Sequence, residues 1–151
     1  KGNVIDPLGV IDAYGTDALR FALIFSTASG NDIPLAEDKI KGMKHFANKL
    51  WNIARFISAN ADPKPVAAKP ITPADTEILE KLKKVSVSAT NHLENFRLHE
   101  AAQDIYQFTW REFADIYIEQ SKIQLQDKKL KINTERILAF TLANILKLLH
   151  P

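Results

Sequence analysis

The segment AEDKIKGMKHFANKLWNIARFISAN, residues 36–60, places apolar side chains at the spacing of one face of a helix. These residues are Ile40, Met43, Ala47, Leu50, Ala54 and Ile57. The spacing predicts a long amphipathic helix. The face opposite the apolar stripe is polar and basic, so this segment bears on both fold and function.

Three more long helices are predicted after this one. Thr72 and Pro73 resemble a helix start, with threonine as the cap and proline in the first turn. The apolar side of that helix comprises Ile78, Leu82, Val85, Ala89, Leu93 and Phe96. A third helix runs from Leu98 to about Ser121 with apolar residues on several faces, and a fourth from Thr134 to about Leu149. Short connections between long helices predict an all-α, antiparallel helical bundle.

A small helical leader precedes the bundle. Asp6 and Pro7 favour a helix start, Gly15 a stop, and a second helix is predicted from Thr16. Residues 1–35 are therefore predicted to form a helical leader and residues 36–151 the bundle. Four prolines between residues 61 and 73 predict a surface connection that is mobile and open to proteases over residues 61–70.

Composition excludes several classes of site. The 151 residues include no cysteine, which removes disulfides and thiolate metal sites. No apolar run is long enough to suggest a membrane segment, and no secretory leader is recognisable, so the predicted location is the cytoplasm without a membrane partner. The net charge of +2 is too mild to indicate a nucleic-acid partner.

No catalytic or metal-binding residue is predicted. The common phosphate-loop, dinucleotide, acyl-transfer and zinc motifs are absent. Asp115 and Glu119 would share a helix face, but pairing with Lys122 or Arg111 on a solvated face is the favoured interpretation. His92 and His99 could approach a metal, although a predicted helix break lies between them.

The basic face of the first long helix is the most informative polar feature. The predicted ridge comprises Lys41, Lys44, His45, Asn48, Asn52 and Arg55. Such a ridge can neutralise RNA phosphates, although charge alone slightly favours an ordinary solvated face. A second basic stretch runs from Lys122 to Lys131, within a predicted turn-rich connection that ends at Asn133. Trp51 and Trp110 could stack on bases, but their apolar neighbours favour core positions.

Several blocks resemble the class I aminoacyl-tRNA synthetases, and two of them, GNDI and FANKLWN, resemble the valyl branch specifically. The blocks are KGNVIDP (1–7), DAYGTDALR (12–20), GNDI (30–33), FANKLWN (46–52), WREFADIYIE with its following lysine (110–122) and LLHP (148–151). The first is similar to the stretch directly after the family's K-M-S-K-S loop. Thr16, Arg111, Ala114 and Ile116 depart from the family pattern. The resemblance spans nearly the whole chain.

The resemblance implies that this chain is part of a larger enzyme that joins valine to its tRNA using ATP. Residues 1–35 would form the stem-contact unit after the missing catalytic loop, and residues 36–151 the anticodon-binding bundle. The piece itself would be non-catalytic, would need no cofactor, and would work as a monomer with the missing catalytic and C-terminal parts and the valine-acceptor tRNA as partners. The candidate tRNA-binding residues are Lys41, Lys44, His45, Asn48, Lys49, Asn52, Arg55 and Lys122.

Two alternatives remain open from the sequence. A leucyl or isoleucyl synthetase would contain an equivalent piece, although the FANKLWN block argues against it. A helical protein-interaction module could instead use the basic face to meet an acidic partner.

Overall fold

The computed structural model describes residues 6–26, 35–60 and 69–151. These ranges are helical and contain no strand. The helices are α1 (Pro7–Tyr14), α2 (Thr16–Phe25), α3 (Glu37–Asn60), α4 (Pro73–Glu94), α5 (Leu98–Gln107), π1 (Phe108–Tyr117), α6 (Ile118–Gln124) and α7 (Lys131–Leu149). The predicted break at residues 29–32 and most of the predicted 61–70 connection lie outside the described residues.

Two helix starts form as the sequence predicts. The Asp6 carboxylate accepts from the backbone N–H groups of Leu8 at 3.1 Å and Gly9 at 3.2 Å, so it caps α1. Thr72 accepts from the N–H of Asp75 at 3.1 Å, and the Asp75 carboxylate accepts from the N–H of Thr72 at 3.0 Å. This reciprocal pair is a capping box, and it fixes the start of α4.

The third predicted helix is longer than expected and contains a π-helical section. Residues 98–124 are continuously helical, with i→i+5 pairing over π1. Adjacent pairs of buried residues recur there at steps of five and four, namely 108 and 109, 113 and 114, and 117 and 118. That repeat is longer than the 3.6 residues per turn of an α-helix. The wider turn of the π-helix therefore brings each pair back to the side that faces the core.

The basic connection before the last helix is shorter than the predicted Lys122–Asn133. α6 continues to Gln124, and α7 begins at Lys131 instead of Thr134. The carbonyl of Asp127 accepts from the N–H groups of Leu130 at 3.0 Å and Lys131 at 2.9 Å. The connection is therefore reduced to the turn formed by residues 125–130, which leads directly into α7.

The end of α4 differs from the prediction at Phe96, which is 85% exposed instead of lying on the apolar side. The N–H of Arg97 donates to the carbonyl of His92 at 2.8 Å, and that of Phe96 to Leu93 at 3.1 Å. This is the hydrogen-bond pattern of a Schellman motif, and it puts Phe96 in the left-handed region at φ 57°. The reversal of the chain turns its ring away from the bundle.

The two largest apolar clusters among the described residues organise the helices. The larger one joins α3, α4, π1 and α7 through residues that include Ile53, Ile78, Phe113, Tyr117 and Ile137. The smaller one packs α1 and α2 against the first half of α3; its buried members are Val10, Ala18, Leu19, Ala22, Ile40 and Met43. The all-α bundle with a helical leader is confirmed. The boundary between residues 35 and 36 stays a prediction.

A buried polar network closes the bundle where α4 begins. Tyr117 donates to the Asp75 carboxylate at 2.9 Å, and both side chains are almost fully buried. The Gln124 amide donates to Thr72 at 3.1 Å and accepts from the Thr134 hydroxyl at 2.8 Å. Because a buried polar group left without a partner is costly, this network fixes α4, π1, α6 and α7 relative to one another.

Candidate nucleic-acid interface

Five polar side chains form an exposed row along α3, which we call the α3 face: Lys41, His45, Asn48, Asn52 and Arg55. They are four, three, four and three residues apart, so they project from one side of the helix. The row extends about 21 Å along the axis. Between Asp38 and the end of α3 the sequence contains no acidic residue, so Lys41, one turn after Glu37 and Asp38, is the one member of the α3 face with anionic neighbours on its own helix.

Lys44 was predicted to belong to this row, but the structure gives it a different contact. Its Nζ donates to the carbonyl of Ala13, in the last turn of α1, at 2.9 Å and lies 5.6 Å from the centre of the Tyr14 ring. A cation there is favourable because helix C-terminal carbonyls carry partial negative charge. Lys44 thus ties the leader to α3. Its role in RNA binding stays a prediction.

Tyr14 makes a second link at the same place. Its hydroxyl donates to the carboxylate of Glu37 in the first turn of α3. That hydrogen bond, with help from the negative charge, raises the pKa of the Tyr14 hydroxyl above its ordinary value. The end of α1 is therefore held to α3 by two side-chain contacts.

Lys49 lies at the edge of the α3 face, next to His45 and Asn52 on adjacent turns. Its Nζ is 2.9 Å from the Asp115 carboxylate and 5.2 Å from the centre of the Trp110 ring. Both of these contacts are made to π1. The side chain is one-third exposed and can still approach an anion bound on the α3 face.

Trp51 does not lie in the core. It is 68% exposed, whereas Trp110 is partly buried, so the core prediction is wrong for Trp51. The buried side of α3 is occupied by Phe46, Ile53 and Ile57, and Trp51 projects beyond the margin of that side. It stands beside Asn48 and Arg55, three and four residues away.

Lys122 lies on α6, apart from the α3 face. It is exposed, and its Nζ is 2.7 Å from the Glu119 carboxylate one turn earlier. Lys128 and Lys129 are exposed in the turn that follows, and Lys131 is 3.9 Å from Glu135. The second basic stretch is therefore present at the surface but is partly neutralised by neighbouring acids.

Among the acidic and histidine residues considered for catalysis or metal binding, Asp115, Glu119 and His92 have side-chain partners. The Nδ1 atoms of His92 and His99 are buried without a hydrogen-bond partner. Glu119 pairs with Lys122 as expected, whereas Asp115 pairs with Lys49. His92 Nε2 is 3.4 Å from the Asp104 carboxylate, which also accepts from Ser88 at 2.6 Å. Within residues 6–26, 35–60 and 69–151, no three acidic, cysteine or histidine side chains are placed to hold a metal ion. No helix in those ranges has both the length and the apolar character needed to cross a membrane.

An aromatic column that the sequence analysis missed connects the leader with the α3 face. Phe21 stacks on Phe46 at 5.2 Å between ring centres, Phe46 contacts Tyr106 at 4.8 Å, and Tyr106 stacks on Trp110 at 5.7 Å. Lys49 stands over the last ring. The spacing of four between Tyr106 and Trp110 signalled a shared helix face, but only the packing of α2 on α3 and α5 brings Phe21 to it.

Comparisons with protein families match most of the chain. Residues 75–151 match the anticodon-binding domain of tRNA ligase, and residues 1–36 match the class I tRNA synthetases of the I, L, M and V group. The first match covers just over half of the chain. It includes all of α4 to α7 except the first two residues of α4, and it leaves α3 between the two matched regions.

Curated relatives match over essentially the whole length. Valine–tRNA ligases from Clostridium tetani, Dehalococcoides mccartyi strain CBDB1 and Aquifex aeolicus are 46%, 43% and 40% identical over 99%, 100% and 99% of this chain. The chain spans 18%, 17% and 14% of those relatives, respectively. It is therefore similar to one section of much longer proteins.

A solved structure shares the fold. The Agrobacterium radiobacter K84 LeuRS in a ternary complex with tRNA and LeuAMS aligns with a TM-score of 0.75 at 22% identity. The alignment covers 99% of this chain and 18% of that one. At this identity the likeness shows the arrangement of helices alone.

Proposed function

The chain belongs to the family of tRNA-ligase anticodon-binding domains, and from that premise we propose that it grips the anticodon arm and inner limb of a tRNA. We place it within a longer valine–tRNA ligase, in keeping with its whole-length similarity to such enzymes. Activation of valine with ATP and transfer to the tRNA belong to other parts of that protein. The proposed complex contains one copy of this chain in the cytoplasm.

The α3 face carries the proposal. Lys41 and Arg55 stand at its two ends and would neutralise phosphates about 21 Å apart, a span of several nucleotides. The amides of Asn48 and Asn52 lie between them and can donate to and accept from ribose or base edges. In this arrangement the cations supply affinity for any RNA, whereas the amides can discriminate between nucleotides.

We rank the candidate RNA-binding residues by the contacts that each side chain already makes within the structure. Lys41, His45, Asn48, Asn52 and Arg55 are exposed on α3, so they form the first-choice contact surface. Lys49 supports that surface from its edge while paired with Asp115. Lys44 serves first to hold α1, and Lys122 has Glu119 to neutralise it, so both contribute less to RNA affinity in this proposal.

A pair of charge-removing variants tests the α3 face. Arg55→Ala is expected to weaken binding of valine tRNA and of a non-cognate tRNA alike, and to lower the log–log salt slope by about 0.7 to 0.9. Lys83→Ala removes one exposed charge from α4 and serves as the matched control. Affinities are measured by filter binding across a salt series.

Two results would contradict the proposal. Equal affinity and equal salt slope for Arg55→Ala and the parent would remove the α3 face from the interface. Efficient displacement of tRNA by an acidic protein at matched charge concentration would favour the alternative, a protein-interaction module with a basic face.

A further inference from the structure

The exposed ring of Trp51 is the least expected feature of the α3 surface. A tryptophan side chain ordinarily gains stability from burial, yet 68% of this residue is accessible. Its helix is well packed elsewhere, with Ile53 and Ile57 almost fully buried. Within the described residues, the packing of α3 therefore does not depend on this ring.

The surroundings of Trp51 are polar and cationic. Asn48 and Arg55 occupy the adjacent turns on the same side of α3, and both are exposed. The nearest acidic residues of that helix, Glu37 and Asp38, are in its first turn, more than three turns away. An apolar protein surface would have to bury these polar groups together with the ring, which is costly without matching partners.

An unpaired nucleotide fits this combination of groups. Every base has a flat π face that can stack on an indole ring, and the phosphate beside it needs a cation. In duplex RNA the faces of internal bases are covered by their neighbours, so a protruding ring cannot reach them. The surface is therefore suited to single-stranded RNA.

We propose that Trp51 is a stacking platform for one unpaired nucleotide of the bound RNA, with Arg55 neutralising a flanking phosphate. The inference rests on the proposed RNA binding and adds to it the kind of nucleotide that the α3 surface accepts. Trp110 has no such role, because its ring is packed against Tyr106 and covered by Lys49.

The binding test compares two RNAs and four variants. The RNAs are a valine tRNA transcript and a blunt RNA duplex of similar length. Trp51→Leu keeps an apolar side chain without a π face and is expected to weaken tRNA binding about tenfold while leaving duplex binding unchanged. Trp51→Tyr restores most of the affinity, because an aromatic ring returns.

The other two variants are controls. Arg55→Ala is expected to weaken binding of both RNAs, because a phosphate contact does not depend on base pairing. Phe96→Leu removes an exposed ring from the turn after α4 and is expected to leave both affinities unchanged. Circular dichroism confirms that each variant is folded.

A spectroscopic test follows the ring itself. The chain has only two tryptophans, so the difference between the parent and Trp51→Leu reports Trp51. Saturating oligouridylate of about ten nucleotides is expected to quench the fluorescence of the parent and to leave that of Trp51→Leu unchanged.

The outcomes separate this inference from the proposed function. If the parent binds both RNAs and Trp51→Leu matches it on both, the platform is rejected and RNA binding stands. Equal weakening on tRNA and duplex would also reject the platform, because the ring would then only shape the α3 surface. If the parent binds neither RNA, both the platform and the proposed function fall.

Discussion

At the scale of single residues, two lysines on α3 that are alike in sequence have different surroundings. Lys41 is exposed on the α3 face, whereas Lys44, one turn later, donates to the Ala13 carbonyl and faces the Tyr14 ring. The spacing of basic residues predicts which side of a helix they occupy. It contains no information about α1, which packs on that helix from a distant part of the chain, so the contact of Lys44 could not be predicted.

The two lysines should therefore differ in their effect on stability. Lys44→Ala is expected to lower the free energy of unfolding by about 1 kcal/mol, because the change removes a charged hydrogen bond to the end of α1. Lys41→Ala is expected to change it by less than about 0.5 kcal/mol, since exposed charges contribute little. Urea unfolding followed by circular dichroism measures both. Equal effects from the two changes would show that Lys44 does not hold the leader.

A buried tyrosine makes stability depend on pH in the alkaline range. Burial, followed by the charge and hydrogen bond of Asp75, raises the pKa of the Tyr117 hydroxyl far above its ordinary value. The folded chain therefore keeps this proton where the unfolded chain, with a tyrosine pKa of about 10, loses it. The stabilisation is complete below about pH 10 and is lost as the pH rises above that value.

Replacing this tyrosine should weaken the alkaline effect. The free energy of unfolding of Tyr117→Phe is expected to fall less steeply than that of the parent above about pH 10, since the variant has no proton to lose there. At neutral pH the variant should be less stable by about 1 kcal/mol because the hydrogen bond to Asp75 is missing. Urea titrations at neutral and alkaline pH measure both quantities. Parallel pH profiles would contradict the assignment.

At the scale of helices, local chemistry predicted the capped starts of α1 and α4, whereas features that depend on packing were missed. Asp6 and Thr72 cap α1 and α4 as expected, because capping involves groups only two or three residues apart. The π1 section and the early start of α7 were missed. Both depend on packing in the bundle, since adjacent pairs such as Phe113 and Ala114 turn inward together only where neighbouring helices cover them.

The candidate site was also predicted only in part. Helical spacing placed Lys41, Asn48 and Arg55 on one exposed side of α3, as the structure has them. Trp51 was assigned to the core from its apolar neighbours, but burial depends on which helices pack beside α3. Resemblance to a family identified the kind of domain, and it could not supply that local geometry.

The end of α4 offers a test of backbone conformation. Phe96 adopts a left-handed conformation that glycine tolerates far better, and its exposed ring contributes little packing. Phe96→Gly is therefore expected to raise the free energy of unfolding by about 1 kcal/mol. Urea unfolding should show a higher midpoint with an unchanged slope. A lower midpoint would mean that the ring makes a stabilising contact.

At the scale of the whole molecule, the leader and the bundle are joined along one side of α3. Val10 and Leu19 pack with Ile40 and Met43, and the aromatic column continues this contact from Phe21 to Trp110. The α3 face lies on the side of the helix that these contacts leave open. One helix therefore supports the leader on one side and, in the proposed function, the RNA on the other.

A nuclear magnetic resonance titration of the isotope-labelled chain with valine tRNA measures directly where the RNA binds. The largest changes in backbone amide signals are expected between Lys41 and Arg55, with smaller changes near Lys49's partner Asp115 on π1. The exposed side of α4 around Lys83 should be unaffected and provides the internal reference. Changes concentrated on α4, or none along α3 at saturating tRNA, would contradict the proposal that α3 is the tRNA-binding helix.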